Sequence, residues 1–467
     1  MASKEAFIDD DHHGAEDDDR MVSNIVPSGS MVKMEDPRKG TSSLWKSVVN
    51  LFKAITGAGV LSLSSGVASF TDNKKTGIVA GLSGAAAMGI LSTYTFALVG
   101  RLCLIHDKKS YTDLFKKICG PKVAGVVQGF MMAKVCSSLL LETIVLGNLV
   151  NDLGKLVLQE VKVDLPESVN LRAYMLGAYS LLVLIPLGFM KNFAALAPFA
   201  AAGAVGIGYI AVLTGVRLFS EDYAPGGFYF TEESVTPVFD KTGTQWNKLP
   251  VLVAMFGTAY IAHYNAPKFA NQLVGATGPR FTLMSMLAFS LAFVVMSCVM
   301  VFGFLTFGAG VEGLILDSYT FEDKMAVLGR VAVVISTTAV YPFLLFNVRD
   351  MIIRLTIRPK DASVFWKAER CTELLIATSL TAVATTIGMI VTDLGFVVAL
   401  VGALLASTVC YTLPALAALT YWGPMIKKGE GSLLMTVECV ISFVIVIFGL
   451  SLSAFGTYQT LKKEKFI

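Results

Sequence analysis

Charge is what this chain is short of: Asp, Glu, Lys and Arg make up 16% of its 467 residues, against roughly a quarter in soluble globular chains. Histidine and tryptophan occur four times each. The seven cysteines (Cys103, Cys119, Cys136, Cys298, Cys371, Cys410 and Cys439) include no Cys-x-x-Cys pair. Neither a zinc knuckle nor a disulfide scaffold is therefore expected, and free thiols are. No Asn-x-Ser/Thr sequon occurs, so N-glycans are not expected on any outward loop. No P-loop, catalytic triad, haem site or paired-carboxylate arrangement stands out, which argues against an enzyme, a cofactor or a resident metal. The net charge of +3 gives no reason to expect nucleic acid as a partner.

What the chain has in excess is apolar residues, 54% of the total. They come in runs of about 20 residues, enough to cross a hydrocarbon core of roughly 30 Å. The class is all-α and polytopic, with the lipid bilayer as solvent. Charge and turn clusters separate eleven candidate spans, over 46–68, 77–103, 122–150, 173–190, 194–219, 249–271, 281–307, 325–353, 372–391, 396–421 and 433–457. Residues 1–43 form a different region. The stretch "EAFIDDDHHGAEDDDR" is acidic and too poor in apolar surface to offset ordering, so a disordered tail is expected, with His12 and His13 solvated in it. No apolar h-region precedes the first long run, and the first span is expected to act as signal-anchor.

Lys/Arg asymmetry sets the orientation. The loop after the second span carries Arg101, Lys108, Lys109, Lys116, Lys117 and Lys122. The loop after the eighth carries Arg349, Arg354, Arg358, Lys360, Lys367 and Arg370. The opposite loops, 220–234 and 310–323, are acidic. This puts the N-terminus in the cytoplasm, where the tail is open to a regulator, and the 220–248 loop on the other side.

The first span has glycines in its middle, in "FKAITGAGVLSLSSGVA" (52–68). A helix interrupted inside the bilayer bares N–H and C=O groups that survive only where they line a cavity or bind a ligand. A second interruption is expected in the sixth span near Gly257-Thr258. Those two helices open successive five-helix blocks, the pattern of an inverted-repeat transporter with a midplane site. Half-helix N-termini offer donors to a carboxylate while freed carbonyls accept from an ammonium or cation. A zwitterionic amino acid fits both. The alternative is that Gly-x-Gly is a close-packing face between helices.

Several stretches in order resemble the amino acid/auxin permease family, which includes sodium-coupled, proton-coupled and vesicular amino acid transporters. They are "NLFKAITGAGVLSLSSGVA", "PLGFMKNFAALAPFAAAG", "AMFGTAYIAHYNAPKFANQL", "FGFLTFG", "GRVAVVISTTAVYPFLLFNVRDMI" and "VTDLGFVVALVGALLASTVCYTLPAL", covering most of 45–420. The resemblance implies a LeuT-like 5+5 inverted repeat of the APC superfamily, with one extra helix, over about 44–458. It implies a secondary active amino acid transporter working by alternating access in the plasma membrane or a vacuolar/lysosomal-type organelle. An amino acid sensor with little flux is a second reading, and a cation channel on the same fold a third.

Substrate-binding candidates are Thr56, Gly57, Ala58, Gly59 and Val60 in the first span, and Phe256, Gly257, Thr258 and Tyr260 in the sixth. The two aromatics either wall a side-chain pocket or simply pack. Sodium-coupled members of the family have asparagine where this chain has Lys53, as the proton-coupled branch does. An ammonium there would take the place of the coupling cation beside Ser336, Thr337 and Thr338; the alternative is a lysine that snorkels to the headgroups. Glu142 is the most membrane-central carboxylate, expected either to carry a coupled proton or to pair with Lys134. His263 is expected to titrate with transport or to be a satisfied structural imidazole. The coupling ion is thus H+ or, in the other reading, Na+. A tag at the N-terminus should be reachable only from the cytoplasm and one in the 220–248 loop only from the opposite side. Labelling of both from one side would break the span count.

Overall fold

The computed structural model describes residues 40–162, 166, 170–190, 197–230, 238–356 and 365–463. The acidic tail up to residue 39 and the 231–237 part of the long loop lie outside the described residues. Helix α1 (Leu44–Ile55) starts at Ser43, whose side chain accepts from the Lys46 N–H. It stops at Thr56; a 3-10 turn over Ala58–Ser62 leads into α2 (Leu63–Phe70). The two halves are bent by 49°. Helix α3 (Lys74–His106), the short α4 (Tyr111–Cys119) and the 41-residue α5 (Pro121–Val161) follow. Then come α6 (Leu171–Tyr179), α7 (Ile185–Gly188) after a π turn, and α8 (Ala197–Phe219).

The second block opens with α9 (Leu249–Ala259), a 3-10 turn over His263–Asn265, and α10 (Ala266–Gln272). It continues with α11 (Gly278–Phe307), α12 (Lys324–Thr356) and α13 (Phe365–Ile390). Helix α14 (Leu394–Val401) widens into a π segment, Gly402–Thr412, before α15 (Leu413–Lys427); α16 (Leu433–Lys463) closes the chain. Among the described residues eight helical stretches are long and apolar enough to cross a membrane, and the bent α1–α2 pair makes a ninth. The eleven-span reading also counts the 23-residue apolar α8 and the interrupted α9–α10. Leu434, Val440, Phe443 and Ile447 of α16 are exposed, as lipid-facing side chains are.

The break in the sixth span lies later than expected. Helix α9 runs through Gly257 and Thr258 and ends at Ala259, so the interruption begins at Tyr260. Gly257 serves a close approach instead: a Cβ there would stand 3.3 Å from the Ala406 methyl in the π segment. The two broken spans cross where a Cβ on Gly59 would lie 3.4 Å from the Ala259 Cα.

Each broken span is pinned at its outer ends. The N–H groups of Thr41 and Ser42 both donate to the Gln272 carbonyl at 2.9 Å, and Val274 N–H donates back to Ser42 at 3.0 Å. This ties the start of α1 to the end of α10. At the far end, after α2, Asp72 collects the loop before α9. Its carboxylate accepts from the N–H of Thr242, from Lys241 N–H at 2.7 Å, from Gly243 N–H at 2.8 Å and from the Thr242 hydroxyl at 3.0 Å. Nearby, Arg217 forks onto Asp323 at 2.7 and 2.8 Å, and Asp323 also receives the first N–H groups of α12.

The hydrogen bond from Thr242 N–H, with those from its hydroxyl and its neighbours, holds Asp72 below the usual carboxylate range. A depressed carboxyl stabilises the fold above its unfolded pKa of about 3.9 and loses that contribution only as pH falls through the lower folded value. Loop protection by Asp72 should therefore be constant at neutral and mildly acidic pH and fail below about pH 4. Asp72→Asn should raise amide exchange at Lys241–Gly243 across the whole range. Unchanged exchange in that variant would show that the staple does not hold the loop.

Candidate functional site

The break at Thr56 leaves backbone groups with nothing local to bond. Thr56 N–H donates to Phe52 and Gly57 N–H to Ile55, and Val60 N–H reaches back to Gly57. Among the described residues the N–H groups of Ala58 and Gly59 and the carbonyl of Thr56 take no partner. Gly57 has φ −117°, which any residue adopts, and a Cβ there would meet nothing within 4 Å. It faces an opening.

That opening is a cavity of about 650 Å³ at the end of the bundle where α1 starts. Lys53, Thr56, Gly57, Ala58, Gly59 and Thr258 line it, with Glu142 from α5 and Ser336 and Thr337 from α12. Of the expected residues these nine are brought together. Glu142 is hydrogen-bonded to the Thr337 side chain. Lys134 is an electrostatic neighbour of Glu142, but its ammonium lies over the Tyr264 ring, 4.0 Å from the centroid. The direct Glu142–Lys134 pair is thus not formed. Lys53 sits in the last turn of α1, where a cation is favoured by the helix dipole.

Six expected residues stand elsewhere. Phe256 and Tyr260 face α3: a Cβ on Gly84 would touch the Phe256 ring, and Tyr260 donates to the Ala85 carbonyl at 3.1 Å. Both are buried, and neither lines either of the two large cavities formed by the described residues. Val60 is fully buried and Gly257 lies against the π segment. His263 is fully buried, its Nε2 at 2.9 Å from the Thr95 hydroxyl and 3.1 Å from the Ser92 carbonyl. It lines neither large cavity; Nε2 is bonded but Nδ1 is buried without a hydrogen-bond partner among the described residues, so the imidazole is only half satisfied. Thr338 turns toward α6, bonded to the Tyr179 hydroxyl at 2.6 Å and to the Val334 carbonyl, so it cannot complete a cation site with Ser336 and Thr337.

A second cavity, of about 720 Å³, opens at the opposite end. Ser65, Asn148, Asp152, Arg172, Met255 and Asp317 are among its walls. Here Asn148 accepts from Arg172 Nε at 2.9 Å and donates to Asp317 Oδ2 at 2.9 Å. Burial, and then the Asp152 charge, pushes Asp317 up to about 8, so at neutral pH this loop carboxyl is mostly protonated. The two cavities nearly meet. Leu61 and Ser65 on the first span, Val145 and Asn148 on α5, and Thr258 and Met255 on α9 belong to opposite cavities. Each pair is three or four residues apart, about one helical turn, or about 5 Å of rise. A septum one turn thick divides the bundle at the level of the breaks.

Sequence reasoning missed Asn50 and Lys268 as cavity walls and gave Lys134 only a pairing role. Tyr264 and Lys268 stand four residues apart beside the break, the helical spacing that could have placed the lysine on the cavity side.

The architecture matches that of solved structures. "Inward facing conformation of Mhp1" aligns at TM-score 0.51 with 12% identity, covering 94% of this chain and 96% of that one. "Crystal structure of MhsT in complex with L-phenylalanine" aligns at 0.53 with 11% identity, covering 91% and 100%. Paired broken helices in this framework define the LeuT fold. The chain belongs to the transmembrane amino acid transporter protein family, whose sequence model matches residues 40–462. Similar curated proteins include amino acid transporter AVT1D of Arabidopsis thaliana, 23% identical over 93% of this chain and 72% of its own length. Amino acid transporter AVT6E of the same plant is 21% identical over 98% and 91%. Sodium-coupled neutral amino acid transporter 7 of Danio rerio is 23% identical over 71% and 68%.

Gly57→Val should fold and insert normally, since its side chain enters open space, yet abolish transport by filling the cavity beside the unpaired N–H groups. Gly59→Val should overpack against Ala259 and lower stability by about 1–3 kcal/mol, read as a fall in the unfolding midpoint in detergent. Normal uptake by the Gly57 variant would remove the break from the site.

Proposed function

We propose that this chain carries an amino acid across the membrane by alternating access, without sodium, with its α1-start face toward the cytoplasm. The observation that carries this reading is the cavity that ends on unpaired donors at Ala58 and Gly59 and an unpaired acceptor at Thr56. A zwitterion satisfies both sets in one pose, carboxylate on the N–H groups and ammonium on the carbonyl, with Glu142 available to the ammonium. The one-turn septum supports alternating access, because small rotations of α1–α2 and α9 suffice to move the seal from one side of the site to the other. With the cytoplasmic orientation read from the Lys/Arg bias, the arrangement is inward-open. The relatives' names agree on amino acid transport, while one of them, the Danio rerio protein, is named sodium-coupled and neutral.

Sodium independence rests on Lys53. Its ammonium lines the same cavity as Ser336 and Thr337, the hydroxyls a cation would need. Two unit charges about 4 Å apart at an effective dielectric near 20 repel by roughly 4 kcal/mol. Glu142 is the group that takes up a proton on the inward face. The same chemistry serves a plasma membrane or an acidic organelle, and the acidic tail gives a cytoplasmic regulator something to hold.

Uptake into proteoliposomes should be indifferent to replacing sodium with an inert cation and should change with pH, the pH response being lost in Glu142→Gln. Lys53→Asn should introduce sodium stimulation. Robust sodium dependence in the unmodified protein would refute the role given to Lys53, and ligand binding without counterflow would make the protein a sensor.

A further inference from the structure

The cavity at the α1-start end has an excess of one sign that a zwitterion does not use. Its charged walls are three ammoniums, Lys53, Lys134 and Lys268, and one carboxylate, Glu142. Lys134 is 5% exposed, covered by Tyr264, and lies in the field of Glu142, so those two largely cancel. Lys53 and Lys268 are left over. They stand on α1 and α10, the two segments joined by the Ser42–Leu273 bridge, and neither has an ion-pair partner among the described residues. Lys268 is exposed, and a topology signal would explain it. Lys53 is different: nine residues into α1, about 13 Å from its start, it is half-buried and three residues from Thr56.

A bound zwitterion brings no net charge to offset these two ammoniums. An anion on the same ligand does, and it gains from a cavity where water screens poorly. We infer that the transported amino acid bears an anionic side chain, of the aspartate and glutamate class, with its second carboxylate read by Lys53 and drawn in past Lys268. This rests on the transport reading above and assigns its selectivity. A cationic side chain would meet the same two ammoniums and be rejected.

The full-length protein in proteoliposomes, preloaded in turn with L-glutamate, L-glutamine, L-lysine or succinate, tests it by counterflow of labelled L-glutamate. Glutamate should drive exchange at concentrations about tenfold lower than glutamine, the size expected of one favourable charge contact; lysine and succinate should drive little. In detergent, glutamate should raise the unfolding midpoint where glutamine at the same concentration does not. Lys53→Gln should collapse the ratio of glutamate to glutamine, whatever its absolute rate, and Lys268→Gln should lower it less. Glutamine equal to or better than glutamate would overturn the inference and leave amino acid transport standing. Succinate as effective as glutamate would overturn the amino acid part of it. No exchange and no midpoint shift with any of the four would overturn the inference and leave the transport reading, which names no particular amino acid, to the sodium and pH test above.

Discussion

A backbone carbonyl or N–H inside a bilayer has no water to turn to, and everything distinctive in this molecule follows from where that rule is broken. Most spans obey it by being continuous helices. At Thr56–Gly59 the first span stops bonding to itself, and an unpaired group in hydrocarbon costs several kcal/mol. The surrounding helices are arranged so that these groups meet a cavity and not lipid. The pins at Ser42–Gln272 and at Asp72 hold the loose half-helices at their far ends, so the flexibility is confined to the middle.

Charge is rationed by the same rule. Several of the charged groups that enter the bundle are tied: Arg217 to Asp323, and Arg330 to Asp152 at 3.2 Å and to the carbonyls of Leu316 and Tyr319. Against that background the two unmatched lysines of the α1-start cavity stand out.

The helix order and the first break were legible because hydropathy and glycine are local signals. The sixth-span break was misplaced because Gly257 looked like a helix breaker, while its lack of a side chain serves the contact with Ala406; the sequence alone does not say which. For Phe256 and Tyr260 the structure matches the packing alternative, for a geometric reason. Four residues apart, they share one face of α9, and that face meets α3, whereas Thr258 points the other way. Choosing between faces requires knowing the neighbours. Ser336, Thr337 and Thr338 illustrate the same limit, since consecutive helical residues diverge by about 100° and only two of the three can face one cavity.

The septum also determines where voltage is felt. Cavities of about 720 and 650 Å³ reach in from either end, and a cavity open to solvent carries the potential of its own bulk solution close to the centre. The electric field of the membrane is therefore compressed into about one turn of helix, about 5 Å, in place of the roughly 30 Å of a plain bilayer. A charge that shifts by the thickness of that turn does nearly the full electrical work of crossing, about 2.3 kcal/mol per unit charge at 100 mV. A charged group that moves past Leu61 and Val145 would therefore sense most of the membrane potential over that short step, with no charged group travelling the length of the protein.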